Sequence, residues 1–176
     1  MDPYEGFREF VRLRQPALMR TAYLLTGNSP QAEDLLQTAL MRTAKHWRKL
    51  ASDANPEAYV RRALYNEHVS WYRRTRGRVE TPRADLPEAG QGRDPSDESL
   101  HRLALHEALL RLTPRQRAVL VLRYYEDRSV EETADLLGCS AGTVKSQTSH
   151  ALGRLRVLAP ELAYLLHDVD PQEAVR

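Results

Sequence analysis

Cysteine is almost absent. The 176 residues hold a single one, Cys139, so no internal disulfide can staple the fold and a disulfide-built secreted scaffold is excluded. Aromatics are scarce at 7%, which makes any clustering of them informative. Long apolar runs are also missing. The longest stretches, such as "AVLVL" at 118–122, fall far short of the ~20 residues a bilayer-spanning helix needs. The opening "MDPYEGFREF" lacks the basic and then apolar regions of a signal peptide. We therefore expect a cytoplasmic protein with no membrane insertion. No strand-like alternation occurs anywhere, which leaves an all-α fold. The histidines His46, His68, His101, His106, His150 and His167 show no metal-ligand spacing. No nucleophile elbow, phosphate loop or catalytic carboxylate pair is present either. We expect no metal, no cofactor and no enzymatic chemistry.

Charge of one sign is not lacking overall, since the net charge is only +2. Its distribution is uneven. Residues 1–78 carry fourteen Lys/Arg against eight Asp/Glu, whereas 79–98 carry two against six. Residues 99–160 carry nine against six, and 161–176 one against four. Two basic blocks divided by an acidic spacer predict two contacts with a polyanion. The spacer, "VETPRADLPEAGQGRDPSDE", contains Pro82, Pro87, Gly90, Gly92 and Pro95 and almost no apolar residues. It cannot bury enough surface to fold, so it reads as a flexible acidic linker. The expected organisation is a helical lobe over 1–78, a linker over 79–98, a second helical lobe over 99–160 and a short acidic tail over 161–176.

In the first lobe, Phe7, Phe10, Val11, Ala17, Leu18, Ala22 and Leu25 supply one or two amphipathic helices. "SPQAEDLLQTALMRTAKHW" follows, with Ser29 placed to cap and Pro30 at the first helical position. Ala32, Leu35, Leu36, Ala39, Leu40, Ala44 and Trp47 share one face, and Asp34, Gln37, Thr38, Met41 and Lys45 the other. Asn55-Pro56-Glu57 starts a further helix, "AYVRRALYNEHVSWYRRTRGR", with four large aromatics among six arginines. Aromatic rings stack on unpaired bases for about 1–3 kcal/mol each, and arginines meet phosphates. Tyr59, Tyr65, Trp71 and Tyr72 with Arg61, Arg62, Arg73, Arg74, Arg76 and Arg78 supply both parts. Asn66 adds a side chain that both donates to and accepts from a base edge. This helix suits separated strands better than intact duplex.

The second lobe contains three helix starts in succession. Thr113-Pro114-Arg115-Gln116 and Ser129-Val130-Glu131-Glu132 both fit the capping box, and Ser140 begins the third helix. Gly138, in "LLGCS", is where the chain should turn through a left-handed conformation. Helix, glycine turn and helix make a helix-turn-helix, whose second helix enters a DNA major groove. Val144, Ala151, Leu152 and Leu155 fall on its inner face. Ser140, Thr143, Lys145, Ser146, Gln147, Ser149, His150 and Arg154 are left to meet phosphates and base edges. Cys139, in the turn, reads as a small filler residue. A 20-residue linker extends to roughly 65–70 Å at about 3.3–3.6 Å per residue, about two turns of DNA at roughly 34–36 Å each. The chain could hold a duplex element upstream while opening another downstream.

Taken together, these segments resemble the bacterial RNA polymerase sigma factors of the extracytoplasmic-function (ECF) type, nearest their actinobacterial SigE-like branch. "AEDLLQTALMRTAKHW" resembles the family's polymerase-clamp-binding helix in region 2, and "NPEAYVRRALYNEHVSWYRRTRG" its −10 melting and recognition segment. "LTPRQRAVLVLRYYEDRSVEETADLLGCSAGTVKSQTSHALGRLR" resembles region 4, which reads the −35 element. The resemblance implies that Asp34, Gln37, Met41 and Arg42 dock on the coiled coil of the polymerase largest subunit. It implies that Asn66 lies near a pocket for a flipped −10 base, and that Lys145, Ser146, Ser149 and His150 meet the −35 duplex. It also implies promoter DNA and core RNA polymerase as partners, with an anti-sigma factor as a further one. The chain departs from the pattern at Gln147 and His150, where many members carry arginines. A stand-alone helix-turn-helix regulator of duplex operators is the alternative, and it leaves the basic-aromatic helix unexplained. A nucleic-acid-processing enzyme would need a carboxylate set that Glu33, Asp34 and Glu67 do not form.

Overall fold

The computed structural model describes residues 4–52, 55–75 and 97–162, and no strand occurs among them. The chain divides into two compact units, Met1–Val79 and Glu80–Arg176. Most of the spacer, Arg76 and the tail beyond Leu162 lie outside the described residues, as does the side chain of Tyr72.

The first unit is built from α1 (Glu5–Thr26), α2 (Ser29–Lys45), α3 (Trp47–Ser52) and α4 (Pro56–Thr75). The upstream apolar residues form one helix, not two, and α1 runs through Pro16. Pro16 faces solvent, and the packing of α1 against α2 and α4 offsets the lost backbone bond. Gly27 ends α1 at φ 83°, donating its N–H to the Tyr23 carbonyl at 2.8 Å. That turn delivers Asn28, not Ser29, to the cap of α2. Asn28 Oδ1 accepts from the Gln31 N–H at 2.9 Å, and Ser29 becomes the first helical residue. The helix also ends earlier than its apolar stripe. Lys45 is its last residue, and Trp47 starts the short α3. The Trp47 ring is still buried, packed edge-on to Phe7 at 5.3 Å and tilted against Phe10 at 5.4 Å between centroids. Asn55 caps α4, its Oδ1 accepting from Ala58 at 3.0 Å. Leu18, Ala22 and Leu25, Ala32, Leu35, Leu36 and Ala39, and Val60, Leu64 and Tyr65 are buried residues of the three long helices.

The second unit holds α5 (Asp97–Leu110), α6 (Pro114–Leu120), α7 (Val130–Leu137) and α8 (Ala141–Leu158), closed by a 3₁₀ turn at Pro160–Leu162. α5 begins two residues inside the segment read as linker, and Leu162, read as the start of the tail, is in the core. One apolar cluster joins Ala108, Leu112 and Leu120 to Ala151, Leu152 and Leu155 of α8. A second joins Val119, Val130, Ala134 and Val144. The helical path does not stop where α6 ends at Leu120. It widens into a single π-helical turn, Val121–Tyr125, in which Glu126 donates to the Val121 carbonyl at 3.0 Å. Asp127 follows at φ 51°, a left-handed conformation that Asp tolerates better than most residues.

Candidate nucleic-acid and protein interfaces

In the second unit, the helix-turn-helix is assembled by three local devices. Ser129 Oγ accepts from the Glu132 N–H at 3.0 Å, and Glu132 Oε2 accepts from the Ser129 N–H at 2.8 Å. Thr113 and Gln116 make the same reciprocal pair at the start of α6. The bond from the Ser129 backbone, aided by the nearby Arg128 guanidinium, holds the Glu132 carboxyl below the ordinary glutamate range. Between α7 and α8, Gly138 takes φ 63° and ψ 43°. Ser140 Oγ then accepts from the Thr143 N–H at 3.1 Å and caps α8.

α8 buries Val144, Thr148, Ala151, Leu152 and Leu155 and turns its other side outward. Ser140, Ser146, Ser149, His150 and Arg154 are exposed, and Thr143, Lys145 and Gln147 are half-buried. The structure thus brings all eight predicted residues onto the outer side of one helix and its cap. Two of them also serve the fold. Ser140 is the cap, and Arg154 Nη2 donates to the Arg111 carbonyl at 3.3 Å, tying α8 to the end of α5. An open groove runs beside the distal half of this face, lined by Gln116, Ser149, His150, Gly153, Arg154 and Val157 among others. Cys139 is half-buried, and burial pushes its thiol up despite the nearby Arg115. Little reactive thiolate is present at neutral pH, which suits a filler.

In the first unit, the basic-aromatic stretch becomes α4, and its residues separate by face. Arg62, Asn66 and Arg73 are exposed at spacings of four and seven, one stripe of the helix. Arg74 is exposed beside it. Arg61 turns inward: its side chain is 12% exposed and its Nη2 meets Glu57 Oε1 at 2.8 Å. Glu57 also takes Arg14 at 3.2 Å. Tyr65 corrects the sequence reading most clearly. It is 0% exposed, one of the largest fully enclosed side chains, so its ring is not presented to a base. It lies next to Leu64 on the face that α4 turns to the core, where ring area is worth more than at the surface. Trp71 is half-buried and lines a cavity of about 90 Å³ with Thr26, Gln31, Asp34, Leu35, Thr38, Glu67 and His68. Tyr59 is half-buried, its ring 5.9 Å from that of His46.

On α2, Asp34, Gln37, Met41 and Arg42 are all exposed, Met41 at 64%. They form an outward strip with a carboxylate, an amide, a thioether and a cation, opposite the buried Ala32, Leu36, Ala39 and Thr43. The Arg42 guanidinium reaches across to α4, 2.6 Å from Glu67. Sequence reasoning considered Glu67 only as a catalytic carboxylate and missed this role. It also missed Arg117, which is 2% exposed and donates to the carbonyls of Leu109, Leu110 and Leu112. Neither position carries a local signal, because each is defined by a neighbouring helix. Among the described residues, no group of three or more His, Cys, Asp or Glu could hold a metal ion. No described helix is long and apolar enough to cross a membrane.

Comparison with known proteins accounts for both units. Residues 10–78 match the family model described as Sigma-70 region 2, and residues 102–155 match Sigma-70, region 4. The chain is 45% identical over 150 residues to the RNA polymerase sigma-E factor of Streptomyces coelicolor, covering 85% of this chain and 84% of that one. It is 34% identical over 149 residues to the ECF RNA polymerase sigma factor SigL of Mycobacterium tuberculosis, covering 82% and 84%. Among solved structures, it is similar to the sigma factor RpoE of Bartonella quintana, co-crystallised with the anti-sigma factor NepR. That match has a TM-score of 0.63 and 32% identity, over 89% of this chain and 98% of the other. With region 2 in its first unit, region 4 in its second and relatives of this identity along most of its length, the chain belongs to the RNA polymerase sigma factors of the ECF type.

Proposed function

We propose that this sigma factor works through three surfaces, each on a different helix. The outward strip of α2, with Asp34, Gln37, Met41 and Arg42, docks on the coiled coil of the polymerase largest subunit. The exposed stripe of α4, Arg62, Asn66 and Arg73, joined by Arg74, receives the unpaired −10 bases and their phosphates, while Trp71 sits about half a turn round the helix from Arg62, against the cavity. Arg76 and the side chain of Tyr72, which the sequence also assigns to this role, lie outside the described residues. The outer side of α8, from Ser140 to Arg154, reads the −35 duplex. Residues 79–96 tether the two units. The protein makes and breaks no bonds. Strand opening draws its energy from the grip on exposed nucleotides, and the work is done in the cytoplasm beside the polymerase. Tyr65 has no place in this surface, since it supports the helix from within.

The observation that carries this reading is the exposed Arg62–Asn66–Arg73 stripe, on the helix of a sigma region 2 unit that the sequence made both aromatic and basic. A stand-alone operator-binding regulator gives that stripe no task. An anti-sigma factor that covers these faces would silence the protein, and the Bartonella relative was crystallised in complex with an anti-sigma factor.

Run-off transcription with purified core polymerase tests the assignment. Wild type should initiate at a small set of sites, while Asn66→Ala and Arg73→Ala should bind promoter DNA yet fail to open it. A pre-opened bubble probe should bind the wild-type holoenzyme at least about tenfold more tightly than its fully paired counterpart, since each stacked base is worth about 1–3 kcal/mol. Normal initiation by both variants would overturn the −10 assignment.

A further inference from the structure

Glu67 lies on α4 between two of the proposed surfaces and belongs to neither. Its side chain is 10% exposed, and each carboxylate oxygen faces a different arginine. Oε1 accepts from Arg74 Nη2 at 2.5 Å, and Oε2 lies 2.6 Å from Arg42 Nη2. Arg74 stands in the last turn of α4, at the edge of the nucleotide-facing stripe. Arg42 stands on α2, in the polymerase-facing strip. One enclosed carboxylate therefore holds a cation from each working face.

Enclosing a carboxylate is costly unless opposite charges meet it. Here two do, one per oxygen: Arg74 as a hydrogen bond at Oε1 and Arg42 as an ion pair at Oε2. The carboxylate is also held in place. It lines the 90 Å³ cavity with Leu35, His68 and Trp71, and the two ion pairs, one at each oxygen, fix its orientation there. The arginines are anchored but not used up. Their side chains remain 50% and 58% exposed. A guanidinium carries five N–H donors in a rigid fork, so one edge can rest on Glu67 while the other meets an external anion. A free arginine must be ordered from many rotamers on binding, whereas an anchored one loses less freedom.

The geometry points to Glu67 as a positioning residue that presents Arg74 to the phosphates of the −10 strand and Arg42 to acidic groups of the polymerase. This rests on the surfaces proposed above. Glu67 itself touches neither partner. Its contribution passes through the two guanidinium groups and is absent when they are absent.

That dependence defines the experiment. Full-length protein is assembled with core polymerase, and affinity for a bubble probe is measured for wild type, Glu67→Gln, Arg74→Ala and the double variant. Glutamine keeps the size of the side chain but loses the charge, and it cannot accept from both arginines with two oxygens. Glu67→Gln should weaken bubble binding about fivefold in the wild-type background and within about twofold when Arg74 is already alanine. The same cycle with Arg42→Ala, read as affinity for core polymerase, should show the same pattern. Equal losses in both backgrounds, or no loss from Glu67→Gln, would overturn the positioning role. If circular dichroism shows Glu67→Gln unfolded, Glu67→Asp runs the same cycles, since it keeps the charge but draws the oxygens back from their partners. Harmless single substitutions at Arg74 and Arg42 would overturn the surface assignments and this role together. Harmful singles with additive doubles would overturn the role of Glu67 alone.

Discussion

A guanidinium at 2% exposure is tolerable only if its donors are used. Arg117 directs its Nε and Nη2 at the last carbonyls of α5 and the turn beyond, those of Leu109, Leu110 and Leu112. The Leu109 carbonyl also takes the Leu112 N–H at 3.1 Å, and a side chain from α6 completes the C-terminal cap. Arg117→Met fills similar volume but removes these donors. It should destabilise the second unit by about 3 kcal/mol, since hydrogen bonds to charged groups contribute about 1.5–3 kcal/mol. Denaturant unfolding should show a lower midpoint at unchanged slope. Gly138 makes the opposite case, where an added side chain would meet open space. A Cβ built there meets no atom within 4 Å, so only its φ of 63° resists a side chain. Gly138→Ala should cost about 1–2 kcal/mol through backbone conformation alone, and Gly138→Asn less. Equal losses for the two variants would show that something other than the left-handed backbone is at stake.

At the scale of elements, the helices start where hydroxyl and amide side chains can hold backbone N–H groups. Such caps are readable because donor and acceptor lie within three residues of each other. The boxes at Thr113 and Ser129, the caps at Asn55 and Ser140 and the turn at Gly138 all follow from spacing alone. The shift from Ser29 to Asn28 shows the limit, because two adjacent cap-formers compete and the turn at Gly27 decides between them. The π-helical turn at Val121–Tyr125 has no such short-range cause. The α7 cap carries a pH dependence whose sign is set by Glu132. Its carboxyl is held below its ordinary value, chiefly by the Ser129 backbone N–H. The stabilisation is therefore complete above the unfolded glutamate range and is lost as pH falls through the lower folded value. Amide exchange in the first turn of α7 should quicken as pH drops from about 6 to about 3, after correction for intrinsic rates. Glu132→Gln keeps the box and should remove that acid step.

At the scale of the whole molecule, the two units divide the task between unpaired and paired DNA under the proposed function. On the assignment proposed above, Lys145 meets a phosphate of the −35 duplex. Lys145→Ala should weaken holoenzyme binding to fully paired promoter DNA and lower the slope of log affinity against log salt by about 0.9. It should leave the preference for a bubble over a paired probe unchanged, because that preference belongs to α4. A changed preference would mean that the two surfaces do not act separately. The sequence by itself determined the all-α class, the capped starts of the helices, the left-handed glycine turn and the concentration of arginine on one helix. Those properties depend on residues within a few positions of each other, where helical spacing and backbone hydrogen bonding leave few choices. Tertiary structure alone decided that Tyr65 lies inside while Asn66 lies outside, that Arg61 turns to Glu57, that Arg117 is enclosed and that Glu67 stands between Arg42 and Arg74. A helix that is aromatic and basic on every side has no face marked in advance. Which face is buried is settled by the helices packed against it.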